Sequence, residues 1–149
     1  MSRTGLESFD TTVQKTSLWL KEIMDEMGWK DRHRAYLALR AVLHTLRDRL
    51  TVAEAVELGA QLPMLVRGFY YEGWNPAGKP IRIRDKGTFL DCVAGYFRNE
   101  PDVDAEGISK AVFRLLSRKV TDGEIEDIKG ILPSPIRDLW EEWCVVVRR

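Results

Sequence analysis

The sequence has no long apolar run and only two cysteines, Cys92 and Cys144. No stretch reaches the roughly 18 uninterrupted apolar residues that a membrane-spanning helix needs. The first residues, Met1–Glu7, lack the apolar segment of a secretory signal. Two cysteines are too few for the disulfide framework of a small secreted domain, and both lie in apolar helical patterns that predict buried thiols. These features predict a cytoplasmic protein that has no contact with a membrane.

The chain also lacks an excess of charge of either sign. Its 149 residues include 23 Lys and Arg and 23 Asp and Glu, so the formal net charge is zero. Proteins that coat nucleic acid carry a basic excess, so nucleic acid is an unlikely partner class on this count. The composition, 44% hydrophobic and 31% charged, is typical of one ordinary folded domain.

Apolar residues recur at helical spacing along most of the chain, and no segment shows a convincing two-residue strand period. Pro63 suits the first turn of a helix, where its missing N–H has no helical partner. The pattern predicts an all-α fold, a compact helical bundle. Its helices are expected at about 11–27, 32–49, from Thr51, from Pro63 through Tyr70, and at 86–98, 103–118, 122–131 and 134–146.

Two capping-box motifs lie 70 residues apart. In each, a threonine can cap the helix while a glutamate reaches back to it: Thr51-Val52-Ala53-Glu54 and Thr121-Asp122-Gly123-Glu124. Aligning residues 16–70 with 86–140 gives 10 identities in 55 positions, where chance would give about three or four. We therefore expect a single domain over 1–149. It would be built from tandem, pseudo-symmetric halves of about 70 residues at 11–70 and 86–146, with a connector at 71–85.

Several runs of residues resemble a bacterial domain-of-unknown-function family, number 2267. They are Val13-Gln14-Lys15-Thr16, Trp19-Leu20, Leu39-Arg40-Ala41-Val42-Leu43-His44, Leu46-Arg47-Asp48-Arg49-Leu50, Gln61-Leu62-Pro63 and Tyr70-Tyr71-Glu72-Gly73-Trp74. The resemblance covers nearly the whole chain and implies a small helical bacterial protein. It implies no activity, and so no site residues.

Motifs for catalysis, cofactors and metals are weak. The segment Gly73–Lys79 satisfies G-x-x-x-x-G-K, but Pro80 replaces the hydroxyl residue of a phosphate-binding loop. His33 and His44 have no zinc-ligand spacing to the cysteines. A Cys92–His44 dyad is conceivable, although packing roles explain both residues better. The sequence therefore predicts no catalytic residue, no cofactor and no metal ligand.

The connector combines aromatic and basic residues. Residues 71–86 carry four basic and two acidic side chains, a net charge of +2. Aromatic rings beside basic groups can stack on a ligand and pair with its anions. The alternative is that the rings are buried and that Trp74 anchors the connector. The candidate ligand or partner contacts are Tyr71, Trp74, Lys79, Arg82 and Arg84.

Two functions remain in view. The first is a non-enzymatic protein that acts through protein–protein contacts or self-association, because the helices are amphipathic and no catalytic constellation is visible. The second is a protein that binds a small molecule or an anionic ligand in a groove near the aromatic-basic connector.

Overall fold

A computed structural model describes residues 3–147 of the chain, with side chains through residue 140. Within those residues the chain forms eight α-helices and no strand, which confirms the predicted all-α class. The helices are α1 (Glu7–Met27), α2 (Arg32–Arg49), α3 (Val52–Ala60), α4 (Met64–Tyr71), α5 (Lys86–Ala94), α6 (Ala105–Lys119), α7 (Asp122–Ile131) and α8 (Ser134–Val147).

The helix ends follow local sequence chemistry. Asp31, Asp85 and Asp104 cap α2, α5 and α6 by accepting a backbone N–H of the first turn. Gly28 ends α1 with a φ of 70°, a left-handed conformation that favours glycine. Two predicted limits were wrong: α1 begins four residues before position 11, and α5 stops at Ala94, short of the expected 98.

The capping boxes are only half formed. Thr51 and Thr121 accept the backbone N–H of Glu54 and Glu124 at 3.2 and 3.3 Å, as predicted. The glutamates do not reach back, however. The Thr121 N–H donates to Gln61 Oε1 at 2.9 Å, and the buried Oε2 atoms of both glutamates lack a hydrogen-bond partner. The sequence motif therefore identifies the two helix starts but not the direction of the glutamate side chains.

Helices α2 and α6 lie at the centre of the core. Helix α2 packs on α1, α4, α5 and α6, while α6 packs also on α1, α5, α7 and α8. Their inward faces are fully buried at Leu39, Leu43 and Leu46 on α2 and at Ile108 and Leu115 on α6. One continuous cluster of buried apolar side chains includes residues of all eight helices. None of the helices within residues 3–147 has the length and apolar content to cross a membrane.

Helices α3–α4 and α7–α8 share several details. Arg67 donates to the carbonyls of Gly59 and Leu62, each at 2.8 Å. Arg137, 70 positions later, donates to those of Lys129 and Leu132 at 3.0 and 2.9 Å. Residues 51–70 and 121–140 also have the same order of buried, half-buried and exposed positions, except that Gly59 is buried and Lys129 half-buried.

Candidate functional site

The aromatic residues of the connector pack against the helices. The half-buried ring of Tyr71 lies over Gly59, where a Cβ atom would be 2.3 Å from Tyr71 Oη. Tyr71 also contacts the rings of Tyr70 and Trp74, at centroid distances of 4.9 and 5.5 Å. Trp74 is half-buried against the core. Both rings thus serve the attachment of the connector, which was the alternative that the sequence left open.

The basic residues of the connector lie around a different feature. Arg82 and Arg84 are exposed and line a cavity of about 180 Å³ together with Arg49 of α2. Arg49 Nε donates to Ile83 O at 2.8 Å, which ties the connector to α2. Burial and the nearby Arg84 guanidinium lower the pKa of Arg49. Lys79 is half-buried and lies outside the lining of this cavity, as do Tyr71 and Trp74.

His44 is buried and fully hydrogen-bonded. Its Nε2 lies 2.6 Å from the carbonyl oxygen of Phe69, so Nε2 carries the proton, and Nδ1 accepts from the Tyr96 hydroxyl at 3.0 Å. Burial lowers the pKa of His44, and the charge of Arg47 adds to that effect. His44 therefore joins α2 to the end of α4 as a neutral structural group.

Cys92 is exposed, so its predicted burial was wrong. Helix α5 turns Phe89 and Val93 into the core, which places the intervening Cys92 on the outer side. Partial burial of the thiol and the charge of Asp91 raise the pKa of Cys92, which disfavours the reactive thiolate. Both nitrogens of His44 are occupied, so His44 does not activate this thiol. Cys144 lies outside the described side chains.

An apolar groove runs between α1 and α4. It has a volume of about 600 Å³. Thr12 Oγ1 accepts the Leu65 N–H at 2.8 Å, which fixes the start of α4 against α1. The main apolar side chains of this α1–α4 groove are Phe9, Val13, Tyr36, Met64, Leu65 and Phe69.

The exposed apolar residues are unevenly distributed. Among the described side chains, every large hydrophobic residue that is exposed falls between Leu6 and Leu65. Val52, Val56, Met64 and Leu65 are 39 to 47% exposed, whereas the positions 70 residues later carry Asp122, Glu126, Ser134 and Pro135. The sequence analysis missed this surface because it used the 70-residue alignment only to find similarities. The differences in the same alignment were the available signal.

A group of four carboxylates lies where α3 meets α7. Glu54 and Glu124 are buried, Glu57 and Asp127 are exposed, and one oxygen of each lies within 4.8 Å of the other three. Burial and the adjacent Glu54 carboxylate raise the pKa of Glu124 to about 8, and the charge of Glu54 also raises the pKa of Glu57. The sequence analysis considered only carboxylates adjacent in sequence, and these four come together through the α3–α7 contact.

Comparison with known proteins gives a single assignment. No curated protein matches the chain. The model of a family described as an uncharacterized conserved protein, DUF2267, matches residues 16–139. The match spans most of the chain, from the middle of α1 into α8, and it agrees with the resemblance found in the sequence. The chain belongs to the DUF2267 family.

Proposed function

We propose that the chain is a non-enzymatic protein that acts through protein contacts, and that its α1–α4 groove binds a second copy of the chain. One observation carries the proposal. Met64 and Leu65 are exposed, while the matching α8 positions are Ser134 and Pro135 in the same burial pattern. The helical framework therefore accepts polar residues there, so a role other than folding best explains the apolar side chains.

The spacing of residues on α1 favours a self-complementary contact. Leu6, Phe9 and Val13 are exposed and follow the three- and four-residue steps of a helix–helix seam. In an antiparallel pair of α1 helices centred on Thr11, Phe9 would face Val13 of the partner subunit. Each subunit would present the same patch to the other, as two-fold symmetry requires.

Charge complementarity supports the same arrangement. In a pair centred on Thr11, Glu7 would lie opposite Lys15 of the partner subunit, and the reverse pair would form by symmetry. Both side chains are exposed, and neither forms an ion pair with another residue in the described part of the chain. A dimer would thus bring together opposite charges at both ends of the apolar seam.

Sedimentation equilibrium tests this proposal. The wild type should show a monomer–dimer equilibrium between about 1 and 500 μM, the range of weak specific association. Phe9→Ser/Met64→Ser should be monomeric throughout that range. Val52→Asp, which removes an exposed apolar residue outside the groove, is the matched control and should dimerise like the wild type.

A charge swap separates self-association from binding of another protein. Glu7→Lys should weaken the dimer by like-charge repulsion, and Glu7→Lys/Lys15→Glu should restore it. A wild type that stays monomeric at the highest concentration overturns the proposal. Dimerisation unaffected by Phe9→Ser/Met64→Ser would also overturn it, because the contact would then lie on another face.

We also infer that the chain consists of two pseudo-symmetric halves that fold as one domain in the cytoplasm. The matching hydrogen bonds of Arg67 and Arg137 and the shared burial order support the halves. The continuous core supports the single domain. An exposed, free Cys92 suits a reducing compartment.

Binding of an anion is the second candidate function. Arg49, Arg82 and Arg84 converge on one cavity, and an anion there would offset their mutual repulsion. The volume of about 180 Å³ is below the usual range for drug-sized ligands and suits a phosphate-sized group. Inorganic phosphate should raise the melting temperature of the wild type and of Lys79→Ala, but not of Arg82→Ala/Arg84→Ala. Equal responses of all three would exclude this site.

A further inference from the structure

Two buried carboxylates face each other without a compensating group. Glu54 is 9% exposed and Glu124 is 6% exposed, and the Oε2 atom of each is buried without a hydrogen-bond partner. Both belong to the four-carboxylate cluster at the α3–α7 contact. A buried carboxylate oxygen without a donor costs several kcal/mol unless it loses its charge or gains a positive partner. The fold therefore requires a positive species between α3 and α7.

The chain does not supply that species from its own basic residues. None of the four carboxylates forms an ion pair with a Lys, Arg or His among the side chains described through residue 140. The nearby cross-link between the helices is uncharged: Gln61 Nε2 donates to Thr121 Oγ1 at 3.1 Å, and Gln61 Oε1 accepts the Thr121 N–H. With all four groups ionised, the cluster carries a charge of −4.

We propose that Glu54, Glu57, Glu124 and Asp127 bind a calcium-class divalent cation that bridges α3 and α7. The donors are all oxygen atoms, the ligands that hard cations prefer. Oxygens on opposite sides of Ca²⁺ are about 4.6–5.2 Å apart, and those across Mg²⁺ are about 4.0–4.2 Å apart. The cluster, with its oxygens within 4.8 Å of one another, accommodates the larger ion with little rearrangement.

The placement of the four residues also suits a cation site. Glu54 and Glu57 lie one helical turn apart on α3, and Glu124 and Asp127 repeat that spacing on α7. Each helix therefore contributes one buried and one exposed ligand. The exposed pair, Glu57 and Asp127, opens the site to solvent, so the ion has an entry route and space for coordinating water.

A shared proton is the competing occupant. Protonation of one glutamate would let it donate to the other and would remove one negative charge. The two occupants respond differently to the medium. A bound cation stabilises the fold in proportion to its concentration, whereas a proton stabilises it only as the pH falls.

Titration of the full chain with CaCl2 after removal of metals with a chelator distinguishes them. At pH 7.5, calorimetry should show one Ca²⁺ bound per chain, and CaCl2 should raise the melting temperature more than MgCl2 or NaCl of equal ionic strength. Glu54→Gln/Glu124→Gln should abolish both effects. Because glutamine has the shape of glutamate and removes the repulsion, this variant should melt above the wild type in chelator.

The matched control is Asp122→Asn/Glu126→Gln, which removes two charges from the exposed side of α7. It should bind Ca²⁺ like the wild type. Equal loss of binding in the control would overturn the proposal, because the ion would then sense only the general charge of α7. No heat of binding and no melting shift with CaCl2 would overturn it in favour of the shared proton.

Discussion

Helices α3–α4 and α7–α8 form the same framework but expose different surfaces. In both, a threonine caps the first helix, an arginine ties the second to carbonyls of the first, and the buried positions coincide. On the outside, Val52 and Met64 of the first pair correspond to Asp122 and Ser134 of the second. The framework residues are those that folding needs, and the divergent surface indicates where the first pair has an additional task.

The largest expected effect is the loss of an aromatic residue from the framework. Tyr70 is fully buried, and its hydroxyl donates to Ala55 O at 2.6 Å. Trp140, at the matching position, stacks on Phe113 at 3.8 Å and donates to Phe113 O. Tyr70→Ala and Trp140→Ala should each lower the free energy of unfolding by about 3–5 kcal/mol in urea titrations.

The exposed Phe9→Ala is the control and should cost well under half as much. If either alanine variant does not fold, Tyr70→Phe and Trp140→Phe measure the hydrogen bonds alone, at about 1 kcal/mol each. A large loss in one pair and almost none in the other would show that the two frameworks do not carry the core equally.

The arginine ties should have a smaller effect. Arg67→Ala and Arg137→Ala each remove charge-assisted hydrogen bonds to carbonyls near the end of the preceding helix. Each should cost about 1–2 kcal/mol in unfolding free energy, since both side chains are partly exposed. Arg67→Lys and Arg137→Lys keep the charge but lose the planar fork, so they should recover little of the stability. Full recovery by lysine would contradict the role of the fork.

A pH dependence should distinguish the halves more subtly. His44 holds the Phe69 carbonyl in the first half, while the matching Arg114 pairs with Glu26 on the surface. Because burial lowers the pKa of His44, the unfolded chain binds a proton at this site more readily than the folded chain. The stability from neutral His44 is therefore present above about pH 6.5 and lost as the pH falls toward the folded value, by at most about 1.4 kcal/mol per pH unit.

His44→Gln, which keeps an amide nitrogen near the Nε2 position, is the comparison. Wild-type stability should fall more steeply than that of His44→Gln between pH 7 and pH 5. The raised pKa of Glu124 acts in the opposite direction, but it is common to both proteins and cancels in the difference. Parallel pH profiles would mean that His44 does not titrate differently in the folded and unfolded chains.

The sequence was sufficient for the helices and insufficient for what lies between them. Helical spacing, caps and Pro63 place α2 and α7 at their observed limits, because these signals are local. The carboxylate cluster could not be predicted in that way, since α3 and α7 meet only through tertiary packing. The connector failed for the same reason: its aromatic and basic residues are neighbours in sequence, but they pack against different helices.

The smallest expected effect on stability comes from exchanging the two surfaces. Val52→Asp and Met64→Ser give the first pair of helices the residues found in the second, at side chains that are 39 and 45% exposed. Urea titrations should show changes within about 0.5 kcal/mol, and the aspartate at the start of α3 should be mildly favourable to the helix dipole. A loss well above 1 kcal/mol for Met64→Ser would mean that the apolar surface supports the fold itself. Unchanged stability together with a weaker dimer would separate the two roles, because the same substitution would then leave the framework intact and remove only the contact.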